Sequence, residues 1–263
     1  MKFFDNIFDI QDNSSYCVSG LNSELVCINI YNTFIKNNSG MLVITSSTYE
    51  ANNLYQSLLN YTDKVLFFPM DDFLTSEAIA ISPEFKAERI NTLNELLGSG
   101  KYIVVTNLMG ALRYLPRKEL WNKSNITLKK DMDVDRDKLL NDLFNIGYQR
   151  DTIVNGTGKI GVRGYVIDIF PASYDNAVRI EFWGDTIDSI KYFDIDTQLS
   201  LEEIDEVKIY PFTEFILDEY NDDLDRKQKY LEYYSDKVSM ISEYLDNPII
   251  YYYDYNMILN SYS

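Results

Sequence analysis

The stretch 158–171, GKIGVRGYVIDIFP, places Arg163 and Asp168 inside a run of strand-forming apolar residues. A guanidinium carries several N–H donors that bind carboxylate and carbonyl oxygens, whereas an ionised carboxylate only accepts hydrogen bonds. Because side chains alternate along a strand, a single strand here puts Arg163 and Tyr165 on one face and Asp168 on the other. We therefore predict that Arg163 faces outwards and that Asp168 is a buried structural carboxylate.

A second arginine and a tryptophan follow in RIEFWGDTIDSI, residues 179–190. Its central Gly-Asp pair suits the two-residue turn of a hairpin. Alternation separates Arg179, Glu181 and Trp183 from the apolar Ile180 and Phe182, so we predict that the Arg-Glu-Trp face is open. Arginine and tryptophan are enriched at the energetically dominant positions of protein interfaces. This pattern favours a protein-binding surface.

Both outward-facing side chains also have a structural interpretation. Arg163 could pair with a local acid such as Glu181 in an exposed ion pair, an arrangement that contributes little to stability. Trp183 could cover the core at the end of the hairpin, because large aromatic side chains are usually mostly buried. The residues alone leave these alternatives open.

The composition excludes several classes of chemistry. The 263 residues include no histidine, which removes every Ser-His and Cys-His nucleophile pair. Two cysteines, Cys17 and Cys27, make neither a zinc-ligand cluster nor a disulfide framework. A net charge of -17 argues against broad contact with nucleic-acid phosphates. No apolar run reaches membrane-spanning length, so we expect a soluble, cytoplasmic protein without membrane contact.

A phosphate-binding loop is not recognisable after the first predicted strand. Such a loop needs glycines, a lysine and a Ser or Thr. The segment 18–27, VSGLNSELVC, keeps Gly20 but lacks lysine, and Glu24 would repel a phosphate. Asp254 ends an apolar run as a magnesium-binding aspartate would, but we interpret it as a strand-end residue. We predict no bound cofactor and no metal.

The apolar pattern predicts an α/β domain at the start of the chain. Buried strands are expected at 16–20, 41–45, 65–69 and 102–106, with helices at 46–61 and from Ser82 to Leu97. Strands that are apolar throughout and alternate with helices indicate a parallel sheet covered by helices on both faces.

The pattern then changes to short strands separated by turns. A helix is expected at 135–146 and strands from 152 to 210; an acidic, Tyr-rich helix follows Pro211, and a last apolar strand lies in NPIIYYYD, 247–254. That strand could return to the first sheet. We predict an α/β domain at 1–117, an inserted β-rich α+β domain at 118–210 and a return segment at 211–263.

Five segments in order resemble one bacterial protein family. They are SPEFKAERINTLNELL, YIVVTNLMGALRYLP, GKIGVRGYVIDIFP, VRIEFWGDTIDSIKYFDIDTQLS and LEEIDEVKIYP. Over about 16–217 the chain is similar to the N-terminal, UvrB-homologous module of transcription-repair coupling factors. The resemblance implies a degenerate helicase-like (P-loop NTPase-like) sheet, an inserted UvrA-binding domain and a return segment.

The resemblance also implies a function. In the family this module recruits UvrA for nucleotide excision repair and restrains the motor domain in cis. The regions that bind RNA polymerase, DNA, ATP and Mg lie farther along the chain. Arg163, Arg179 and Trp183 fall at the positions that contact UvrA, with tryptophan replacing another aromatic residue. We therefore expect a non-catalytic docking module in which Arg163→Ala or Arg179→Ala abolishes UvrA binding with little loss of stability.

An alternative is a UvrB-like protein that binds DNA in a nucleotide-dependent way. Such a protein needs an intact phosphate loop and an aromatic DNA-clamping hairpin, and residues 69–82 contain nothing like that hairpin. A further possibility is a fragment that acts mainly as a clamp on the motor domain.

Overall fold

The computed structural model describes residues 15–72, 83–216 and 238–262. The chain divides into two compact units, one before Tyr114 and after Ser239, and the other from Tyr114 to Ser239. The predicted divisions lay after residues 117 and 210. The second unit therefore includes residues 211–216 and a short strand at Val238–Ser239, which we had assigned to the return segment.

The first unit contains a parallel sheet with the strand order β14-β1-β3-β2. Its strands are β1 (Met41–Thr45), β2 (Val65–Phe68), β3 (Ile103–Asn107) and β14 (Ile249–Tyr252). β14 pairs in parallel with β1, from Met41 opposite Ile249 to Ile44 opposite Tyr252. The predicted return of the last strand is confirmed, so the β-rich unit is an insertion.

Helices flank this sheet. They are α1 (Ser23–Asn37), α2 (Thr48–Leu58), α3 (Pro83–Glu95), α4 (Leu108–Ala111), a 3₁₀ helix (Ile241–Tyr244) and α7 (Tyr255–Tyr262). The Asn22 side chain caps α1 by accepting from Leu25 N at 2.9 Å. The predicted cap of α3, Ser82, lies outside the described residues, as do 217–237, where a helix was predicted. None of the helices in the described ranges is both long and apolar enough to span a membrane.

Both faces of the parallel sheet are buried at its inner strands, β1 and β3, whereas the edge strand β14 exposes Ile250 and Tyr252. Alternate strand residues pack with α1 and α2 in one apolar cluster, which includes Met41, Val43, Val65, Phe67, Ile103 and Val105. The residues between them, among them Leu42, Phe68 and Val104, are buried as well. This is why the strands are apolar throughout.

The strand predicted at 16–20 is wrong. Residues 15–20 form no strand, and each of them is exposed. The edge of β1 that does not face β3 is already paired with β14, so this segment has no position beside β1 in the sheet. The first regular element described is α1.

The second unit is built around a mostly antiparallel sheet with the order β11-β10-β9-β8-β7-β6, which we call the β-rich sheet. Its strands are β6 (Gln149–Arg150), β7 (Lys159–Arg163), β8 (Val166–Ile169), β9 (Ala177–Trp183), β10 (Thr186–Phe193) and β11 (Ser200–Ile204). Two strand pairs accompany it: β4 (Leu115–Pro116) with β13 (Val238–Ser239), and β5 (Ile126–Lys129) with β12 (Glu206–Ile209). The helices are α5 (Lys118–Lys123) and α6 (Arg136–Asn145).

One face of the β-rich sheet forms the core of this unit. Leu139 and Leu143 of α6 pack on it, together with the strand residues Ile160, Ile167, Ile169, Val178, Ile180, Phe182, Ile187 and Ile190. The opposite face carries Arg163, Asp168, Arg179, Glu181 and Trp183, and we call it the polar face. At one end of the polar face a small cluster, Val154, Ala177 and Phe193, is also buried.

The segment 158–171 is a hairpin and not one strand. β7 and β8 are antiparallel, with Gly161 opposite Asp168 and Arg163 opposite Val166. Gly164 begins the two-residue turn with φ +56, a conformation that favours glycine. Because the turn reverses the chain, Arg163 and Asp168 share a face. Our prediction that they lie on opposite faces is wrong.

Candidate protein-docking surface

Asp168 holds two arginines together on the polar face. Arg179 donates from Nε to Oδ1 at 2.7 Å and from Nη2 to Oδ2 at 3.0 Å, a bidentate pair. Arg163 donates from Nη2 to Oδ2 at 2.7 Å. The Asp168 side chain is only 2% exposed. We call these three residues the Arg-Asp-Arg cluster; it satisfies the buried carboxylate that the sequence predicted.

The neighbouring strands bring the cluster together. Register places Asp168 of β8 directly opposite Arg179 of β9. Arg163 of β7 lies opposite Val166, two residues from Asp168 along β8 and on the same face, and its side chain reaches Asp168 diagonally. Gly161 lies opposite Asp168 in this row, and a Cβ there would make ordinary van der Waals contacts, 3.8 Å from the Cβ of Asp168 and 3.4 Å from Val154 Cγ2.

The two arginines have different surroundings. The Arg179 side chain is 14% exposed, its Nη1 donates to Gln198 O at 3.2 Å, and its guanidinium carbon lies 4.6 Å from the centre of the Phe193 ring. Its hydrogen bonds to Asp168 raise the pKa of Arg179 above the ordinary value. The Arg163 side chain is 53% exposed. Arg179 is therefore mostly enclosed by its neighbours on the polar face, whereas Arg163 faces solvent.

Arg163 does pair with a local acid, as one alternative states, but that acid is Asp168 and not Glu181. The Glu181 carboxylate accepts from Lys191 Nζ at 2.7 Å and from Ser189 Oγ at 2.6 Å. These hydrogen bonds lower the pKa of Glu181, and the one from Lys191 has the larger effect. The acid that binds Arg163 is Asp168, because Asp168 lies on the adjacent strand β8, whereas Glu181 lies on β9, one strand farther from Arg163.

Trp183 lies in the open at the end of β9. It is 83% exposed, whereas the preceding Phe182 is buried in the core. The alternative in which Trp183 covers the core is wrong, because Phe182 already occupies that face of the strand. The prediction that Arg179, Glu181 and Trp183 lie opposite Ile180 and Phe182 is confirmed.

The sequence interpretation missed the link between the two arginines and the residues around the β7–β8 turn. Tyr165, the second turn residue, is 64% exposed. Arg136 of α6 donates to Gly164 O and lies against the Tyr165 ring. One signal was available: Gly164-Tyr165 stands between alternating segments just as Gly184-Asp185 does, and both glycines have positive φ.

Residues 18–22, the start of the segment without a recognisable phosphate loop, lead into the N-terminus of α1. Gly20 adopts φ +79, and Asn22 caps the helix. Glu24 lies in the first turn and accepts from Tyr61 Oη at 2.9 Å. Helix N-termini favour anions, and here a carboxylate of the chain itself occupies that end. The absence of a bound nucleotide stays a prediction.

Asp254 has a local structural role. It follows β14 with φ +53, and its Oδ1 accepts from Met257 N at 3.3 Å in the first turn of α7. Over the described parts of the chain, no group of three or more Cys, Asp or Glu side chains is arranged to hold a metal ion.

Comparison with known proteins assigns the polar face to a family domain. Residues 126–215 match the family model described as the UvrB interaction domain. That range contains the Arg-Asp-Arg cluster and Trp183. The chain is also 34% identical over 218 residues to a transcription-repair-coupling factor of Staphylococcus haemolyticus, an alignment that covers 82% of this chain. Over this region the chain belongs to the transcription-repair-coupling factor family.

Two further transcription-repair-coupling factors align with this chain at similar identity and over a similar length. The factor of Staphylococcus aureus (strain MRSA252) is 33% identical over 218 residues, and that of Staphylococcus epidermidis (strain ATCC 12228) is 32% identical over 216 residues. These alignments cover 82% and 81% of the chain but only 19% and 18% of the relatives. The resemblance predicted from the motifs is confirmed, and the chain spans about a fifth of the length of the curated relatives it matches.

Proposed function

We propose that this region is a non-catalytic docking module that binds UvrA through the polar face of the β-rich sheet. Within a longer protein, such binding would recruit UvrA to RNA polymerase stalled at DNA damage. The observation that carries the proposal is the exposure of Arg163 and Trp183 on the open face of the domain that matches the family model.

The chemistry of the polar face supports a protein partner. The Arg-Asp-Arg cluster sets two guanidinium charges against one carboxylate, so it is locally positive in a chain of net charge -17. Arg163 presents N–H donors to solvent, and Trp183 offers a large amphipathic ring. A partner surface with carboxylates or carbonyl oxygens beside an apolar recess suits both side chains.

The geometry divides the predicted site residues into two roles. Arg163 and Trp183 are exposed and would contact UvrA. Arg179 is mostly enclosed, and it orients Asp168 and the turn at Gln198. Asp168 in turn fixes the guanidinium of Arg163. We infer that Arg179 and Asp168 are positioning residues.

Titration of UvrA with purified variants tests the proposal. Arg163→Ala and Trp183→Ala should each weaken binding at least about tenfold, as expected of interface hot spots, with unfolding curves close to wild type. Arg179→Ala should weaken binding and also destabilise the fold by about 1–3 kcal/mol, because it removes two hydrogen bonds from a buried carboxylate. The matched control is Arg150→Ala, an exposed arginine on the edge strand β6. Wild-type affinity of folded Arg163→Ala would overturn the proposal.

A UvrB-like, nucleotide-dependent DNA-binding protein is the competing function. Glu24 at the N-terminus of α1 supports the docking module, since a carboxylate there opposes phosphate binding. Calorimetry with ATP and Mg²⁺ should give no saturable heat. Saturable binding of ATP, with an affinity that increases in Glu24→Ala, would favour the competing function.

The roles of the longer protein are also proposals. They comprise contact with RNA polymerase and DNA through other regions, ATP and Mg at the motor domains, restraint of the motor by this module, and a cytoplasmic location. Comparing the ATPase rate of a longer family member with and without the module tests the restraint; a higher rate without it is expected.

A further inference from the structure

Arg136 occupies an unfavourable position in α6. It is the first residue of the helix, directly after the capping Asp135. The positive end of the helix dipole opposes a cation in the first turn. A residue that breaks a local preference in this way is expected to gain a compensating interaction elsewhere.

The compensating contacts lie at the β7–β8 turn. Arg136 Nη2 donates to the carbonyl oxygen of Gly164. Its guanidinium carbon lies 5.5 Å from the centre of the Tyr165 ring and 5.2 Å from that of Phe182, both within the range of cation–π attraction. Its Nε is enclosed and makes no hydrogen bond within the described part of the chain. Arg136 thus clamps the turn to the helix.

The clamp also joins the two hairpins that carry the docking residues. Phe182 N donates to Tyr165 O at 2.9 Å, which ties the β7–β8 turn to the end of β9. Arg163 directly precedes this turn, and Trp183 directly follows Phe182. A fixed turn therefore fixes the backbone on which both predicted contact residues lie.

Tyr165 shares the exposure of Trp183. The two side chains are 64% and 83% exposed and lie at the same end of the β-rich sheet, one at each hairpin. The Tyr165 ring lies with Arg136 on the side of α6, whereas Trp183 lies on the polar face. Exposed aromatic rings and an exposed arginine at one end of a sheet match the composition of interface hot spots. The Tyr165 ring is also held by Arg136, so little side-chain entropy would be lost when a partner covers it.

We propose that the UvrA-binding surface extends around this end of the sheet, with Tyr165 as a further contact residue and Arg136 as the residue that positions it. This inference rests on the proposed function and adds to it. UvrA would cover the ring of Tyr165 together with Trp183, while Arg136 stays within the domain.

A double-mutant cycle tests the two roles. UvrA affinity is measured for wild type, Tyr165→Ala, Arg136→Gln and the double variant, each checked for folding by urea denaturation. Tyr165→Ala should weaken binding about tenfold, and Arg136→Gln somewhat less. Arg136→Gln should weaken binding less in the Tyr165→Ala background than in wild type, because part of the effect of Arg136 passes through the Tyr165 ring. Arg136→Lys, which keeps a cation and a donor, should recover most of the affinity.

Two outcomes would overturn the inference. One is wild-type affinity of folded Tyr165→Ala; the other is a double variant whose loss equals the product of the single losses. Arg163→Ala, measured in parallel, distinguishes failure of this inference from failure of the proposed function. If Arg163→Ala loses binding and Tyr165→Ala does not, only this inference fails. If Arg163→Ala binds as wild type does, the proposed function fails as well.

Discussion

The two sheets of this protein bury their residues in different ways. In the parallel sheet, neighbouring residues such as Met41 and Leu42 of β1 are both buried, so each strand is apolar on both faces. In the β-rich sheet, alternate residues are buried against α6 and the others form the polar face. The inner strands β1 and β3 of the parallel sheet have no face left for a partner, although the edge strand β14 exposes Ile250 and Tyr252. The β-rich sheet keeps one face open.

This difference locates the candidate function. In nucleotide-binding α/β proteins, ligands bind beyond the ends of the parallel strands, at helix N-termini and glycine-rich loops. Here Glu24 lies at the N-terminus of α1, and the proposed docking residues lie on the other sheet. In the proposed function, the parallel sheet would serve as a scaffold and the open face of the β-rich sheet would carry recognition.

The largest effect is expected where the polar face contains a buried charge. Asp168→Ala removes the carboxylate that holds both arginines and leaves Arg179 enclosed without its partner. We expect a loss of about 3–5 kcal/mol in the free energy of unfolding, together with loss of UvrA binding. Asp188→Ala, an exposed aspartate on the same sheet, is the control and should change stability by less than about 0.5 kcal/mol. Urea denaturation measures both, and equal stabilities would contradict the structural role of Asp168.

A pair of core substitutions tests the contrast between the sheets directly. Ile103→Ala in β3, where burial is complete, should cost about 2–5 kcal/mol. Val166→Ala lies on the half-exposed polar face and should cost less than about 1 kcal/mol. Urea denaturation of both variants gives the comparison. If Val166→Ala proves as costly as Ile103→Ala, the polar face is more buried than described.

The sequence was sufficient where local pattern decides the structure. The apolar runs of β1, β2 and β3 predicted buried parallel strands, and Gly184-Asp185 predicted the β9–β10 turn. Residues 16–20 were predicted to be a strand as well. The edge of β1 that does not face β3 is occupied by β14, and the local pattern of 16–20 could not show this. Local sequence pattern cannot show which of two segments pairs with a given strand.

The candidate site was predictable in part. The faces of β9 followed from alternation, which put Arg179 and Trp183 on the correct face, but alternation did not show that the Arg179 side chain is only 14% exposed. For Arg163, the prediction treated residues 158–171 as one strand, with side chains alternating throughout. The Gly164-Tyr165 turn interrupts this alternation, so Arg163 and Asp168 lie on the same face. The partner of Arg163 depends on the register of three strands, and this determines that Asp168 and not Glu181 accepts its hydrogen bond.

The smallest expected effect concerns the second ion pair of the polar face. The hydrogen bonds from Lys191 and Ser189 lower the pKa of Glu181 in the folded state. A carboxyl group with a lowered folded pKa stabilises the protein above its unfolded pKa, and this contribution is lost as the pH falls through the folded pKa. Glu181→Gln should therefore be less stable than wild type by less than about 1 kcal/mol at pH 7, because the pair is partly solvated. The difference should shrink as the pH falls below the ordinary glutamate value of 4.5. Urea denaturation between pH 3 and pH 7 measures it, with the exposed Glu202→Gln as control. A difference that stays constant with pH would mean that Glu181 contributes through packing and not through its charge.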